Sequence, residues 1–100
     1  MSKLKPIHPG EILREEFLAP LSLSANKLAL HLRVPAPSIY DIVNEERAIS
    51  VEMALRLARF FGTTPDFWAN LQTNFDLRNA ARKEQSKVNR EVRPLAASGD

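Results

Sequence analysis

The sequence predicts an all-α fold, a compact five-helix domain, and three observations carry that reading. Apolar residues recur at three- and four-residue steps wherever periodicity is clear. β-branched residues never alternate with polar ones over four or more positions, so no strand is expected. Capping or helix-breaking residues stand at the candidate helix ends. With 100 residues the chain has room for one such domain, and a chain of this size buries about 60% of its unfolded surface without needing covalent staples.

The elements follow in order. Pro9 suits a first helical position and Glu11 a first turn, and Ile12, Leu13, Phe17 and Leu21 form the apolar stripe of the first helix, which Pro20 ends or bends. Ser24 is the N-cap of a second helix that buries Leu28, Ala29 and Leu32. Pro35 and Pro37 are tolerable only near a helix start, so a third helix opens there and buries Ile39, Ile42 and Val43. Asn44 to Arg47 reads as a polar loop. Ser50 caps a fourth helix with Met53, Ala54, Leu57, Ala58 and Phe61 on its inner face, and Gly62 stops it in the left-handed conformation. Thr64-Pro65-Asp66 is the strongest start signal in the chain, opening a fifth helix with the stripe Phe67, Trp68, Leu71 and Phe75. Beyond Leu77 large apolar residues thin out, so this helix is expected to run to about Glu84 and then fray. The division is therefore a domain over 1–84 and a basic, flexible tail over 85–100.

Composition excludes several function classes. There is no cysteine, hence no disulfide framework, Cys-ligated metal or thiol nucleophile. His8 and His31 lie far apart with no carboxylate at ligand spacing; His8 reads as a helix cap or loop residue and His31 as solvent-facing or partly packed. No metal and no cofactor is expected. Glu15 and Glu16 are adjacent and diverge, so they form no catalytic pair, and most of Glu11, Arg14 and Glu15 read as a solvated face, the alternative being a face that meets a basic protein partner. With three glycines there is no phosphate-cradling loop. The chain is not expected to be an enzyme. No run approaches the roughly 20 apolar residues of a membrane span, and the N-terminus has no apolar signal core, so a cytoplasmic protein with no membrane partner is expected.

The net charge of +2 is unevenly spread. Through Leu77 there are eight bases and nine acids, whereas residues 78–100 hold six bases and three acids. The basic character thus belongs to the C-terminal segment.

Helices two and three, short and separated by about three residues, have the form of a helix-turn-helix. Leu28 and Leu32 face the core, Ala29 is the small residue at the crossing, Val34 plugs the turn, and Ile39 with Ile42 line the inner face. Arg33 takes the turn position where glycine is commonest, at a cost of about 1 kcal/mol in the left-handed region. On this reading the third helix enters a major groove, presenting Ala36, Pro37, Ser38, Tyr40, Asp41 and Asn44. Ser38, Tyr40 and Asn44 carry hydrogen-bonding groups for bases or backbone, and Lys27, Arg33 and Arg47 are spaced for flanking phosphates. Residues 36–47 nevertheless hold one base against three acids. Asp41 either pairs with Arg47 or Arg33 or accepts from a cytosine amine. A purely structural bundle is the competing reading.

Three segments carry a family resemblance: His8-Pro9-Gly10-Glu11-Ile12-Leu13, Ile42 to Ser50, and Ala54 to Trp68 with its Gly62-Thr63-Thr64-Pro65-Asp66-Phe67-Trp68 run. Together they resemble the HigA family of antitoxins from type II toxin–antitoxin modules, whose helix-turn-helix is of the phage-repressor-like class. The resemblance covers roughly residues 6–78. It implies a homodimer on double-stranded operator DNA, a palindrome in its own promoter, and a complex with a HigB-like mRNA-cleaving toxin. It places DNA contacts on Ser38, Tyr40, Asp41 and Asn44, with Arg47 in the arginine slot of the motif. The family's commoner Asn-Gly-Lys-Arg is Asn44-Glu45-Glu46-Arg47 here. Trp68, Leu71 and Phe75 are candidates for the dimer seam or else plug the core, the core reading being preferred for Phe67 and Leu71. The alternatives are an antitoxin with little DNA binding and a stand-alone transcriptional repressor.

Overall fold

In the computed structural model, which describes residues 5–95, α1 is one continuous helix in three segments. It is α-helical at Pro9–Ile12, π-helical at Leu13–Leu18 and α-helical again at Ala19–Leu21. The widening has a local cause. In regular α geometry the Pro20 ring would press on the carbonyl of Glu16, and the wide turn before it, with Ala19 N–H donating to Arg14 O, makes room. Pro20 therefore widens the helix, and Ser22 at φ 51° ends it.

Four more helices follow: α2 (Ala25–Leu32), α3 (Ala36–Val43), α4 (Val51–Phe61) and α5 (Pro65–Glu91). The hydroxyls of Ser24, Ser50 and Thr64 accept from Lys27, Met53 and Phe67 N–H at 3.0, 3.1 and 3.1 Å, as the cap pattern requires. Gly62 closes α4 at φ 76°. α2 and α3 pack together, α1 lies against α3 and α5, and α4 lies against α2 and α5. Leu13, Leu28, Ile39, Ile42, Leu57 and Trp68 meet at zero exposure in the middle.

The end of α5 differs from expectation. It continues to Glu91 instead of fraying near Glu84, straight through the division drawn at 84/85, and stretches the molecule to 57 Å in its long dimension. Lack of burial was the wrong criterion there. Ala80 to Gln85 is a run of strong helix formers, and Gln85 Nε2 donates to Asn89 Oδ1 at 2.9 Å one turn on. Of the tail, residues 96–100 lie outside the described residues.

His8 caps α1: its Nδ1 accepts from Gly10 N–H at 2.8 Å, and its buried ring meets Phe75 edge-on at 4.8 Å. Burial lowers its pKa below the ordinary 6.5, partly countered by the carboxylates of Glu45 and Asp76. The unfolded chain then takes up a proton at a higher pH than the folded one, so stability falls as pH drops through 6.5 toward the lower folded value. We expect thermal melts between pH 7.5 and 5 to show that slope. His8→Asn, which keeps a capping acceptor and loses the titration, should flatten it.

Candidate nucleic-acid interface

α2, the turn and α3 form the helix-turn-helix. Arg33 occupies the left-handed turn position at φ 62°, and half-buried Val34 plugs the space beneath it. An arginine there carries the strain of the left-handed region, about 1 kcal/mol. Pro35 is extended and precedes α3, and Pro37 takes the second helical position, so neither costs a helix hydrogen bond.

α3 has a sharply divided surface. Ile39, Ile42 and Val43 are buried, while Pro37, Tyr40 and Asn44, at steps of three and four, are exposed on the opposite side. Ala36, Ser38 and Asp41 sit half-buried at the borders of that exposed strip. Tyr40 keeps 45% of its surface open.

Two of the three acids over residues 36–47 are held in ion pairs. Arg47 Nη2 lies 3.1 Å from Asp41 Oδ2, which settles the partner of Asp41 within the chain as Arg47 and not Arg33. The pair is exposed and worth at most about 1 kcal/mol, so it can open toward a ligand. Arg14 enters from α1. Its guanidinium donates to Val43 O at the end of α3 and to Glu45 Oε2 at 3.3 Å, and it also meets Glu15 at 3.0 Å. Arg14 is thus not part of a merely solvated face. It caps the C-terminal end of α3 and pairs with Glu45, which stands in the left-handed region at φ 64°. Lys27 and Arg33 are exposed and make no ion pair among the described residues.

The stripe on α5 is placed differently. Trp68 has no exposed surface, so it belongs to the core and is unavailable as a dimer seam. Leu71 packs partly against the same core, and Phe75 is half-buried on His8. Phe67, expected inside, is instead 38% exposed. The buried phase of α5 runs through Trp68 and Gln72, one residue on from Phe67.

Two functional supports escaped the sequence reading. Gln72 is buried; its Oε1 accepts from Ile49 N–H at 2.8 Å, anchoring the loop that follows α3, and its Nε2 donates to Asp76 at 3.0 Å. Its position four residues after Trp68, on the inner phase, was the available signal. Arg56 Nη1 donates to Leu32 O at 2.8 Å, closing the C-terminal end of α2 just before the turn. Nothing local in the sequence marks that contact.

Comparison with known proteins places this geometry. A family profile described as helix-turn-helix matches residues 13–68. The antitoxin HigA of Pseudomonas aeruginosa, solved with the higBA promoter, is 47% identical and superposes with a TM-score of 0.91, over 92% of this chain and all of that one. Virulence-associated protein I of Dichelobacter nodosus is 48% identical over 85% of this chain and 79% of its own length. Antitoxin HigA-1 of Vibrio cholerae is 31% identical over 97% of this chain and 90% of its own.

Proposed function

The chain belongs to the helix-turn-helix family, in its HigA-type antitoxin branch, and from that premise we propose that the outward strip of α3 reads its operator. The protein is a DNA-binding antitoxin that represses its own operon and is partnered by a HigB-like toxin. Its family is one of DNA-binding regulators and not an enzyme class. No described helix is long and apolar enough to cross a membrane, and we place the protein in the cytoplasm, acting as a dimer without catalytic activity.

One observation supports the assignment of contacts. The exposed side chains of Tyr40 and Asn44 share one face of a helix whose large aliphatic residues, Ile39, Ile42 and Val43, are buried on the other. Ser38 and Asp41 border that strip, Ala36 and Pro37 form its leading edge, and Lys27, Arg33 and Arg47 supply phosphate contacts around it. Asp41 and Glu45 are already matched by Arg47 and Arg14. Of the three acids over residues 36–47 only Glu46 makes no ion pair among the described residues, so less of their charge faces a phosphate backbone than the sequence implies, and the DNA-reading assignment is preferred.

A mobility-shift assay on the upstream promoter tests this. Specific binding should weaken steeply with salt, and Tyr40→Ala or Ser38→Ala should each weaken it by about 1–3 kcal/mol with an unchanged circular dichroism spectrum. Absence of any shift at low salt on promoter fragments would remove the operator reading. Co-purification with the toxin encoded alongside separates the antitoxin from a stand-alone repressor.

Arg33→Gly should separate folding from binding. Relief of the left-handed strain is expected to raise stability by about 1 kcal/mol, or roughly 4–8 °C in a domain of this size. Loss of one phosphate contact should reduce the slope of log affinity against log salt by about 1. Melting and salt titrations on the same preparation check both signs.

A further inference from the structure

The structure points to a second binding surface, away from the outward strip of α3: we propose that the groove between α2 and α4 receives an acidic amphipathic helix of a partner protein. The groove encloses about 690 Å³. Leu32, Leu55 and Phe60 make its apolar lining, with Leu55 54% and Phe60 38% exposed although both are large apolar residues. The His31 ring stacks on Phe60 at 4.9 Å and extends that lining. An open apolar strip of this kind between two helices suits the apolar edge of a third, inserted at steps of three and four residues.

Charge selects the occupant. Three arginines, Arg33, Arg56 and Arg59, border the groove against one acid, Glu52. Glu52 is already held by Arg56 at 2.9 Å, and Arg56 is further engaged at Leu32 O. Arg33 and Arg59 make no ion pair among the described residues. The groove therefore offers two unmatched cations beside an apolar floor. The chain's own ends are basic, with Lys3 and Lys5 at one and a surplus of bases over residues 78–100 at the other, so they do not complement it. An acidic helix does, with leucine-type residues on Leu55 and Phe60 and carboxylates on Arg33 and Arg59. Arg33 also flanks the strip of α3, so an occupant draws on a cation that the operator uses. This competition, unlike the docking itself, rests on the DNA-reading assignment.

The test titrates the ¹⁵N-labelled full chain with a synthetic helical peptide of about 16 residues, leucine at the i, i+3, i+4 and i+7 positions and glutamate on its flanks. Matched peptides carry lysine for glutamate, or serine for leucine. The acidic amphipathic peptide alone should bind, with amide shifts concentrated at His31, Leu55, Arg59 and Phe60. Arg59→Glu and Leu55→Glu should each weaken it about tenfold or more while the operator shift stays intact. Equal binding of the lysine or serine peptide, shifts centred on α3 instead, or indifference to both substitutions overturns the proposal. So does protection of the same amides by the co-purified toxin, which would assign the groove to that protein. Loss of the operator shift in the unsubstituted chain would overturn the DNA reading and leave the docking result standing.

Discussion

Gly10→Ala is expected to destabilise the domain by about 3 kcal/mol, or roughly 12–24 °C in melting temperature, and to weaken operator binding in whatever remains folded. A β-carbon on Gly10 would lie 1.7 Å from Ile42 O and 2.8 Å from Ile42 C. These are backbone atoms at the end of α3, so no side chain can rotate away to relieve the overlap. Relief requires α1 and α3 to separate by about 1.5 Å, which breaks close packing along Leu13, Ile39 and Ile42. Helix propensity points the other way, since alanine is favoured over glycine by up to about 1 kcal/mol inside a helix. The steric term is the larger, and it wins.

Gly62→Ala is the internal control. Gly62 stands at φ 76° with nothing near the added carbon, so only left-handed strain applies, about 1 kcal/mol. Chemical denaturation of the two variants should therefore rank Gly10 well above Gly62. Equal costs, or a stabilised Gly10→Ala, would mean that α1 and α3 are not in backbone contact. The site matters for the proposed function because Gly10, His8 and Arg14 all hold the same end of α3, the helix proposed to read the operator: Gly10 by close approach, Arg14 through Val43 O, and His8 by capping the helix from which both project.

What the sequence makes legible follows from the range of the interaction. The caps at Ser24, Ser50 and Thr64 and the stop at Gly62 are settled within four residues, and all stand where the pattern puts them. The inner face of α3 is equally local, because Ile39 and Ile42 share a phase that only burial explains. Contacts joining distant segments are invisible to such reading. Arg14 reaches Val43 and Glu45 across some thirty residues, and Arg56 reaches Leu32; an arginine on a helix surface looks the same before and after it finds a carbonyl. The end of α5 failed for a different reason. A helix that buries little can persist on propensity and side-chain pairs, and counting apolar residues does not register either. On the outer face of α3 the residue types are readable, while the pairing of the charges is not, because Arg14 reaches Glu45 from another element.

Trp68→Ala should be the most damaging single truncation in the core, costing about 3–5 kcal/mol, a large part of the 5–15 kcal/mol that typically holds a domain of this size. The indole is fully buried, with Phe17 at 4.9 Å, Phe67 at 5.0 Å and Phe61 at 6.2 Å between ring centres. Its Nε1–H donates to Thr63 Oγ1 at 2.8 Å, so both its body and its polar edge are satisfied within one chain. Removing it leaves a void bordered by α1, α4 and α5, which rigid aromatic neighbours cannot collapse to fill. Trp68→Phe retains most of the apolar volume and frees only a half-buried Thr63 hydroxyl that water can reach, so about 1–2 kcal/mol is expected. Measurement at several protein concentrations distinguishes a core pillar from an interface residue. A core role lowers stability by the same amount at every concentration, whereas a seam role leaves the monomer's unfolding unchanged and raises only the dimer dissociation constant. Trp68 is the single tryptophan of the chain, so its own emission reports the unsubstituted protein, and circular dichroism follows the variants. A concentration-dependent loss in Trp68→Ala with an intact monomer would return this residue to the dimer interface.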